Sequence, residues 1–115
     1  MRQRQPRVTD DEHRKFIGGL PCLVCHNNIE SQAAHISYSD PKWGKPYSKG
    51  IANKVSDYYC VPLCGTHHDA QHAMNERDWW KLSGIDPVPI AMALYINSGD
   101  QEAGELIIQS WKCFG

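Results

Sequence analysis

The pattern of apolar and polar positions predicts a short helix near the start of the chain, followed by two strands. Residues 10–17 have one apolar side, follow the capping-box pattern Thr9-x-x-Glu12 and end before two glycines. The stretch QAAHIS at 32–37 has extended character, and SDYYCVPL at 56–63 has the β-branched and aromatic residues of a strand. The first half of the chain is therefore expected to be one helix and two strands.

The segment between the two predicted strands, residues 37–56, is expected to be a loop. Pro41, Gly44, Pro46 and Gly50 interrupt any regular pattern there. A structureless loop of this length is unusual in a compact domain and is often functional.

The second half of the chain has the spacing of several short helices. One is predicted over 65–75, a second ends at Gly84, a third begins at Asp86 with a proline in its first turn, and a last one opens at Asp100. The large apolar residues of these helices recur at helical spacing and are predicted to form the core. They are Trp79, Trp80, Ile90, Leu94, Leu106, Ile107 and Trp111.

Length and composition favour one cytoplasmic domain. The 115 residues match the common size of a single domain. No apolar run approaches the roughly 18 residues that span a bilayer, and the first residues lack the apolar stretch of a secretory signal. The number of cysteines, five, is odd. In a chain without an export signal, such cysteines are expected to be metal ligands or free thiols rather than a disulfide framework.

The net charge of −1 argues against strong non-specific binding to DNA, but the positive charges are unevenly distributed. Two local basic segments could contact phosphates, or they could be a frayed tail and a solvated loop. The first contains Arg2, Arg4 and Arg7, and the second contains Lys42, Lys45, Lys49 and Lys54.

Two chelating pairs predict a structural zinc site. Cys22 and Cys25 are spaced so that one tight turn points both sulfurs at one ion, and Cys64 and His67 form a second pair where a helix begins. The separation of the pairs is too long for a C₂H₂ finger, so the metal would join the two ends of a larger unit. The alternatives are unrelated buried cysteines, or Cys60 as a substitute ligand.

The remaining histidines of the predicted helix indicate a second metal site. If His67 binds zinc, His68 points about 100° away around the helix and shares its face with His72. A histidine pair at this spacing can chelate a metal ion, as in helical zinc-protease motifs, but no glutamate stands between the two as a general base. The reactive group would have to come from elsewhere.

His35, at the end of the first predicted strand, is the candidate for that group. A strand ending in histidine, a long connection, a second strand and a helix with metal-binding histidines is the ββα-metal arrangement. In this order the chain resembles the HNH, or His-Me finger, endonucleases in their zinc-stapled form, over about residues 20–96. AAHISYSDPKWGKP, VPLCGTHHDAQH and WWKLSGIDP are similar to a phage and prophage branch related to the Ref-type recombinase-dependent nucleases. The matching residues are Cys22, Cys25, His35, Cys64, His67, His68 and His72.

The chain departs from the family pattern at three points. His67 stands where many members have a cysteine, an exchange that zinc tolerates. Ala34 stands where many members place a further ligand of the catalytic ion. The asparagine of the family name has no clear counterpart, and Asp57 or Tyr59 is nearest its place. Asp57 is accordingly expected to hold the connecting loop or to bind metal.

The resemblance implies phosphodiester hydrolysis. His35 would take a proton from water, and His72, with or without His68, would hold a divalent cation that offsets charge on the phosphate. Mg²⁺ or Mn²⁺ is the expected ion, and imidazole ligands also suit Zn²⁺, Co²⁺ or Ni²⁺. The loop lysines Lys42, Lys45, Lys49 and Lys54 would lie beside the DNA backbone.

The expected fold is one small α+β domain over residues 1–115. A zinc-stapled ββα-metal core would occupy 20–76, with an N-terminal helix before it and a helical extension over 77–115. The expected function is a metal-dependent endonuclease. Its expected partner is double- or single-stranded DNA, a recombinase filament is a further candidate partner, and no membrane association is expected. The alternatives are a non-catalytic zinc module that binds nucleic acid, and a zinc-stapled adaptor that binds proteins.

Overall fold

The computed structural model describes residues 10–27, 30–45 and 57–114, and in these ranges the chain forms an α+β fold as predicted. The two strands, β1 (Ser31–His35) and β2 (Cys60–Cys64), form an antiparallel sheet, and a 3-10 helix spans Pro41–Trp43. The α-helices are α1 (Asp11–Gly18), α2 (Gly65–His72), α3 (Glu76–Ser83), α4 (Pro87–Ile96) and α5 (Gln101–Phe114). None of the helices described is long and apolar enough to cross a membrane.

The register of the sheet decides which side chains face the core. Ala34 pairs with Val61, and His35 pairs with Cys60. Ala34 and Val61 are fully buried. Because successive side chains of a strand point to opposite faces, His35 lies on the other face, where 32% of its side chain is exposed.

Helix α1 is capped by a different residue from the one predicted. Asp10 is the N-cap, and its carboxylate accepts the backbone N–H of His13 at 3.0 Å. The prediction of Thr9 as the cap is therefore wrong, and Thr9 itself lies outside the described residues. The helix packs against both strands and buries Phe16 and Ile17.

The predicted helix boundaries in the second half of the chain are mostly confirmed. α3 ends at Gly84, which has the left-handed conformation with φ of 75°. α4 begins at Pro87, and the Asp100 side chain accepts a backbone N–H in the first turn of α5. α2 ends at His72, earlier than predicted, because Asn75 is already the N-cap of α3.

The predicted core is confirmed for Trp79, Trp80, Ile90 and Leu94, all of which are buried. Helix α4 packs on β2, and α5 packs on α4.

The prediction for Leu106 is wrong, because its side chain is 58% exposed. The buried side of α5 contains Gly104 and Ile108, which are four residues apart. Leu106 lies midway between them in sequence and therefore points to the opposite side of the helix. Ile107 is half-buried, and the side chain of Trp111 lies outside the described part of the structure.

The loop between the strands is described as far as residue 45. After the 3-10 helix, Asp40 and Lys45 form an isolated β-bridge. Lys45 is only 2% exposed: its ammonium group donates to the backbone oxygen of Tyr38 at 2.8 Å and lies 4.9 Å from the centre of the Tyr59 ring. Burial lowers the pKa of Lys45 to about 8.

We expect Gly104→Ala to lower the free energy of unfolding by about 1–2 kcal/mol, because overpacking outweighs the gain in helix propensity. An added Cβ would lie 2.8 Å from Leu20 Cδ2 and 2.9 Å from Phe16 Cζ. Urea denaturation measures the change. Gly65→Ala is the control, since its Cβ would meet only Gln32 Nε2 at 3.7 Å, and an equal loss in both variants would contradict the steric explanation.

Candidate functional site

Four predicted ligands come together in a cluster that could hold a metal ion: Cys22, Cys25, Cys64 and His67. Their ligand atoms all lie within 4.8 Å of one another. His67 Nδ1 is 3.1 Å from the sulfur of Cys64 and 3.7 Å from that of Cys22, and the sulfurs of Cys25 and Cys64 are 3.9 Å apart. The two sequence pairs thus form one site, as predicted.

Backbone hydrogen bonds position the first pair beside the second. The turn that contains Cys22 and Cys25 is closed by the His26 N–H, which donates to the backbone oxygen of Cys22 at 2.8 Å. The Leu23 N–H donates to the backbone oxygen of Pro62 at 2.8 Å. Because this oxygen of Pro62 points away from β1, the missing N–H of the proline removes no bond from the sheet. The turn is thereby fixed beside β2.

The second pair lies at the junction of β2 and α2. Cys64 ends the strand, and His67 lies in the first turn of the helix. The backbone N–H of His67 is the main cause that lowers the pKa of the Cys64 thiol to about 7, assisted by the neighbouring His67, Cys22 and Cys25 side chains. A thiolate, the form that binds metal, is therefore accessible near neutral pH.

His68 and His72 form a second group of possible ligands on α2. Their ring centres are 4.9 Å apart. His68 Nδ1 lies 2.7 Å from the side-chain oxygen of Gln32 on β1. Burial lowers the pKa of His68, and His72 and His35 in their protonated forms would lower it further, while the Asp69 carboxylate raises it. Of the two histidines, His68 is thus the one whose pKa His35 influences.

His35 forms a close pair with Asp57. His35 Nε2 is 2.7 Å from Asp57 Oδ1, and the Cys60 sulfur lies within 4.8 Å of the ligand atoms of both residues. These three residues have the composition of a metal site, but two features oppose a cation there. Burial raises the pKa of the Cys60 thiol, and the guanidinium Nε of Arg14 is 3.2 Å from Asp57 Oδ2. The arrangement is better described as a hydrogen-bonded histidine–carboxylate pair.

Asp57 is held as a carboxylate by its surroundings. Burial alone would raise its pKa, but the hydrogen bonds from the His35 side chain and the Asp10 backbone, with the charges of His35 and Arg14, bring the pKa below its ordinary value. Of Asp57 and Tyr59, the two residues that the sequence comparison with the HNH pattern left as candidates, Asp57 is the one that contacts His35. Tyr59 lies beside Lys45 instead.

The predicted DNA-binding lysines are only partly described. Lys42 is exposed and lies 3.5 Å from the Asp86 carboxylate. Lys45 is buried, so its ammonium group cannot make the predicted contact with a phosphate at the surface. Lys49 and Lys54 lie outside the described residues.

Two residues of the site were not predicted from the sequence. Gln32 stands two positions before Ala34 on the same face of β1, so the two-residue period of a strand could have indicated it. No local pattern points to Arg14, because its partner Asp57 is distant in sequence. Ala34 itself is fully buried and offers no ligand atom.

No protein-family model matches the chain, and no match is found among curated proteins or solved structures. A functional assignment therefore depends on the chemistry of the two ligand groups and of the His35–Asp57 pair.

We expect Cys22→Ser to abolish metal binding by the four-residue cluster, because a serine hydroxyl does not replace a thiolate ligand. Metal content should fall from about one ion per chain to near zero, with loss of the cooperative thermal transition. Elemental analysis after dialysis and circular dichroism measure these changes. Cys60→Ala is the control, since Cys60 lies outside this cluster and its replacement should leave the ion bound. Full metal content in Cys22→Ser would contradict the assignment.

Proposed function

We propose that the chain is a metal-dependent DNA endonuclease of the HNH type with a structural zinc ion. The observation that supports this function best is the placement of His35. It is paired with the Asp57 carboxylate at 2.7 Å, and it is among the charged groups that influence the pKa of His68. A base beside a divalent-ion site is the arrangement that phosphodiester hydrolysis requires.

The donor set of the four-residue cluster fits zinc. A tetrahedron with bonds of about 2.3 Å to sulfur and about 2.0 Å to nitrogen separates two sulfurs by about 3.8 Å, and a sulfur from a nitrogen by about 3.5 Å. The Cys25–Cys64 distance of 3.9 Å and the Cys22–His67 distance of 3.7 Å are close to these values. The Cys64–His67 distance of 3.1 Å is about 0.4 Å short and would open on binding.

His68 and His72 are the proposed ligands of the catalytic cation. The bound cation would offset negative charge on the scissile phosphate and on the departing 3′ oxygen. Gln32 accepts a hydrogen bond from His68 Nδ1–H, which leaves Nε2 of His68 as the nitrogen that can bind metal. With two imidazoles and no carboxylate in this group, Mn²⁺, Co²⁺, Ni²⁺ or Zn²⁺ should bind more tightly than Mg²⁺.

His35 is the proposed general base. Its unprotonated ring nitrogen takes a proton from water as the water oxygen bonds to phosphorus. The bond from phosphorus to the 3′ oxygen breaks, and that oxygen takes a proton from solvent.

Lys42 is proposed to contact the DNA backbone, since it is the lysine of the loop that the structure describes as exposed. The same proposal includes a prophage or phage origin, a cytoplasmic location and a recombinase filament as partner.

A non-catalytic zinc module that binds nucleic acid is the second candidate. Ala34 favours it, because a buried methyl group stands where a further ligand of the catalytic ion is expected. The two candidates differ in whether the protein cleaves DNA or only binds it.

We expect His35→Ala to reduce plasmid cleavage by about 10²–10⁴-fold, the usual contribution of a general base. Supercoiled plasmid and single-stranded DNA are incubated with Mg²⁺ or Mn²⁺, and the products are resolved on gels. Glu102→Ala, an exposed position on α5, should cleave like the unmodified protein. DNA binding without cleavage by the unmodified protein would favour the non-catalytic module, and equal cleavage by His35→Ala would exclude this residue as the base.

We expect Gln32→Met to weaken Mn²⁺ binding by about 10–100-fold, because the side chain keeps its length but loses the oxygen that orients His68. Gln32→Glu keeps an acceptor at this position and should bind Mn²⁺ at least as tightly as the unmodified protein. Electron paramagnetic resonance of free Mn²⁺ measures both affinities, with the zinc cluster already loaded. Equal affinity in all three proteins would show that Gln32 does not support the ion site.

A further inference from the structure

We propose that Arg14 and Asp57 are positioning residues for His35, with helix α1 holding the Asp57 carboxylate in the orientation that fixes the tautomer of the His35 ring. The inference rests on the proposed function, in which His35 is the general base. It adds to the site a helix that precedes the ββα core predicted over residues 20–76.

Both oxygens of Asp57 have definite partners. Oδ1 lies 2.7 Å from His35 Nε2. Oδ2 accepts the backbone N–H of Asp10 at 2.8 Å and lies 3.2 Å from Nε of Arg14. Only 9% of the Asp57 side chain is exposed, so water has little access to replace these partners. One oxygen thus faces the strand histidine, and the other faces α1.

The proton between His35 and Asp57 can be placed from the chemistry of the pair. The surroundings of Asp57 keep it ionised, and an ionised carboxylate only accepts hydrogen bonds. The neutral His35 ring therefore donates from Nε2, and Nδ1 keeps its lone pair. A base for water must have such an unprotonated nitrogen, and Asp57 decides which of the two nitrogens it is.

Helix α1 acts on His35 through Asp57. The Asp10 N–H and the Arg14 side chain both contact Oδ2, so they oppose rotation of the carboxylate and keep Oδ1 directed at the histidine. Arg14 also forms an ion pair with Asp11 in the same helix. Without the Arg14 cation, the Asp10 backbone N–H is the one remaining partner of Oδ2 among the residues that the structure describes. The His35 ring can then flip or change tautomer more easily.

Nitrogen NMR of the zinc-loaded 115-residue chain without DNA tests this proposal directly. In the unmodified protein we expect one His35 tautomer, protonated at Nε2. Arg14→Gln and Asp57→Asn should each give a mixture of tautomers, and Arg14→Lys should restore the single form because it keeps the cation. Arg77→Gln is the matched control, since this exposed arginine donates to the backbone of Ser39 and not to the pair.

Cleavage kinetics provide the second measurement. Arg14→Gln should lower kcat about tenfold with KM for DNA unchanged, the pattern of a group that positions the base. In the Asp57→Asn background the same substitution should have no further effect, because the influence of Arg14 passes through Asp57. Additive losses, or a raised KM with unchanged kcat, would overturn the proposal.

The two proposals can fail separately. If the unmodified protein does not cleave DNA but the variants change the tautomer as expected, the positioning role is supported and the nuclease is excluded. If the unmodified protein cleaves DNA and Arg14→Gln alters neither the His35 tautomer nor kcat, the positioning role is excluded and the proposed nuclease function is retained. Zinc content and circular dichroism establish that each variant is folded. Asp57→Asn tests the contact between Arg14 and Asp57 by changing Asp57 instead of Arg14.

Discussion

The register of the β1–β2 pair is the constraint on which both candidate sites depend. Cys64 pairs with Ser31 at one end of the sheet, and Cys60 pairs with His35 at the other. Strands of five residues, at about 3.3 Å per residue, separate these ends by roughly 13 Å. A slip of one residue would turn His35 into the core and move Cys64 off the metal cluster. The core and both sites therefore require the same pairing.

The metal cluster and most helix boundaries could be predicted because their signals are local. A tight turn between two cysteines, or a helical turn between Cys64 and His67, brings ligands together whatever the rest of the chain does. Gly84 and Pro87 likewise end and begin helices for reasons of backbone conformation. The error at Leu106 arose where the sequence does not show which side of α5 meets α4.

The contacts that surround His35 could not be predicted, because they join residues that only the folded chain brings together. Arg14 lies in α1 and Asp57 lies in the turn before β2, and neither residue has a distinctive sequence context. Lys45 shows the reverse problem. A lysine among lysines in a loop predicts an exposed charge, yet its ammonium group is satisfied inside the fold by Tyr38 and Tyr59. Charge counts along a sequence do not reveal such burial.

In the proposed nuclease, the presence of Ala34 where a metal ligand is expected has a physical explanation in the sheet. This position is fully buried opposite Val61, where an unpaired carboxylate would be strongly disfavoured. Gln32, on the same face but exposed, contacts His68 and can orient it without burying a charge. In the proposed nuclease, the support for the ion thus moves two residues along the strand and changes from a direct ligand to an orienting hydrogen bond. Such a site relies on imidazole nitrogens, and its preference for softer cations than Mg²⁺ follows from that change.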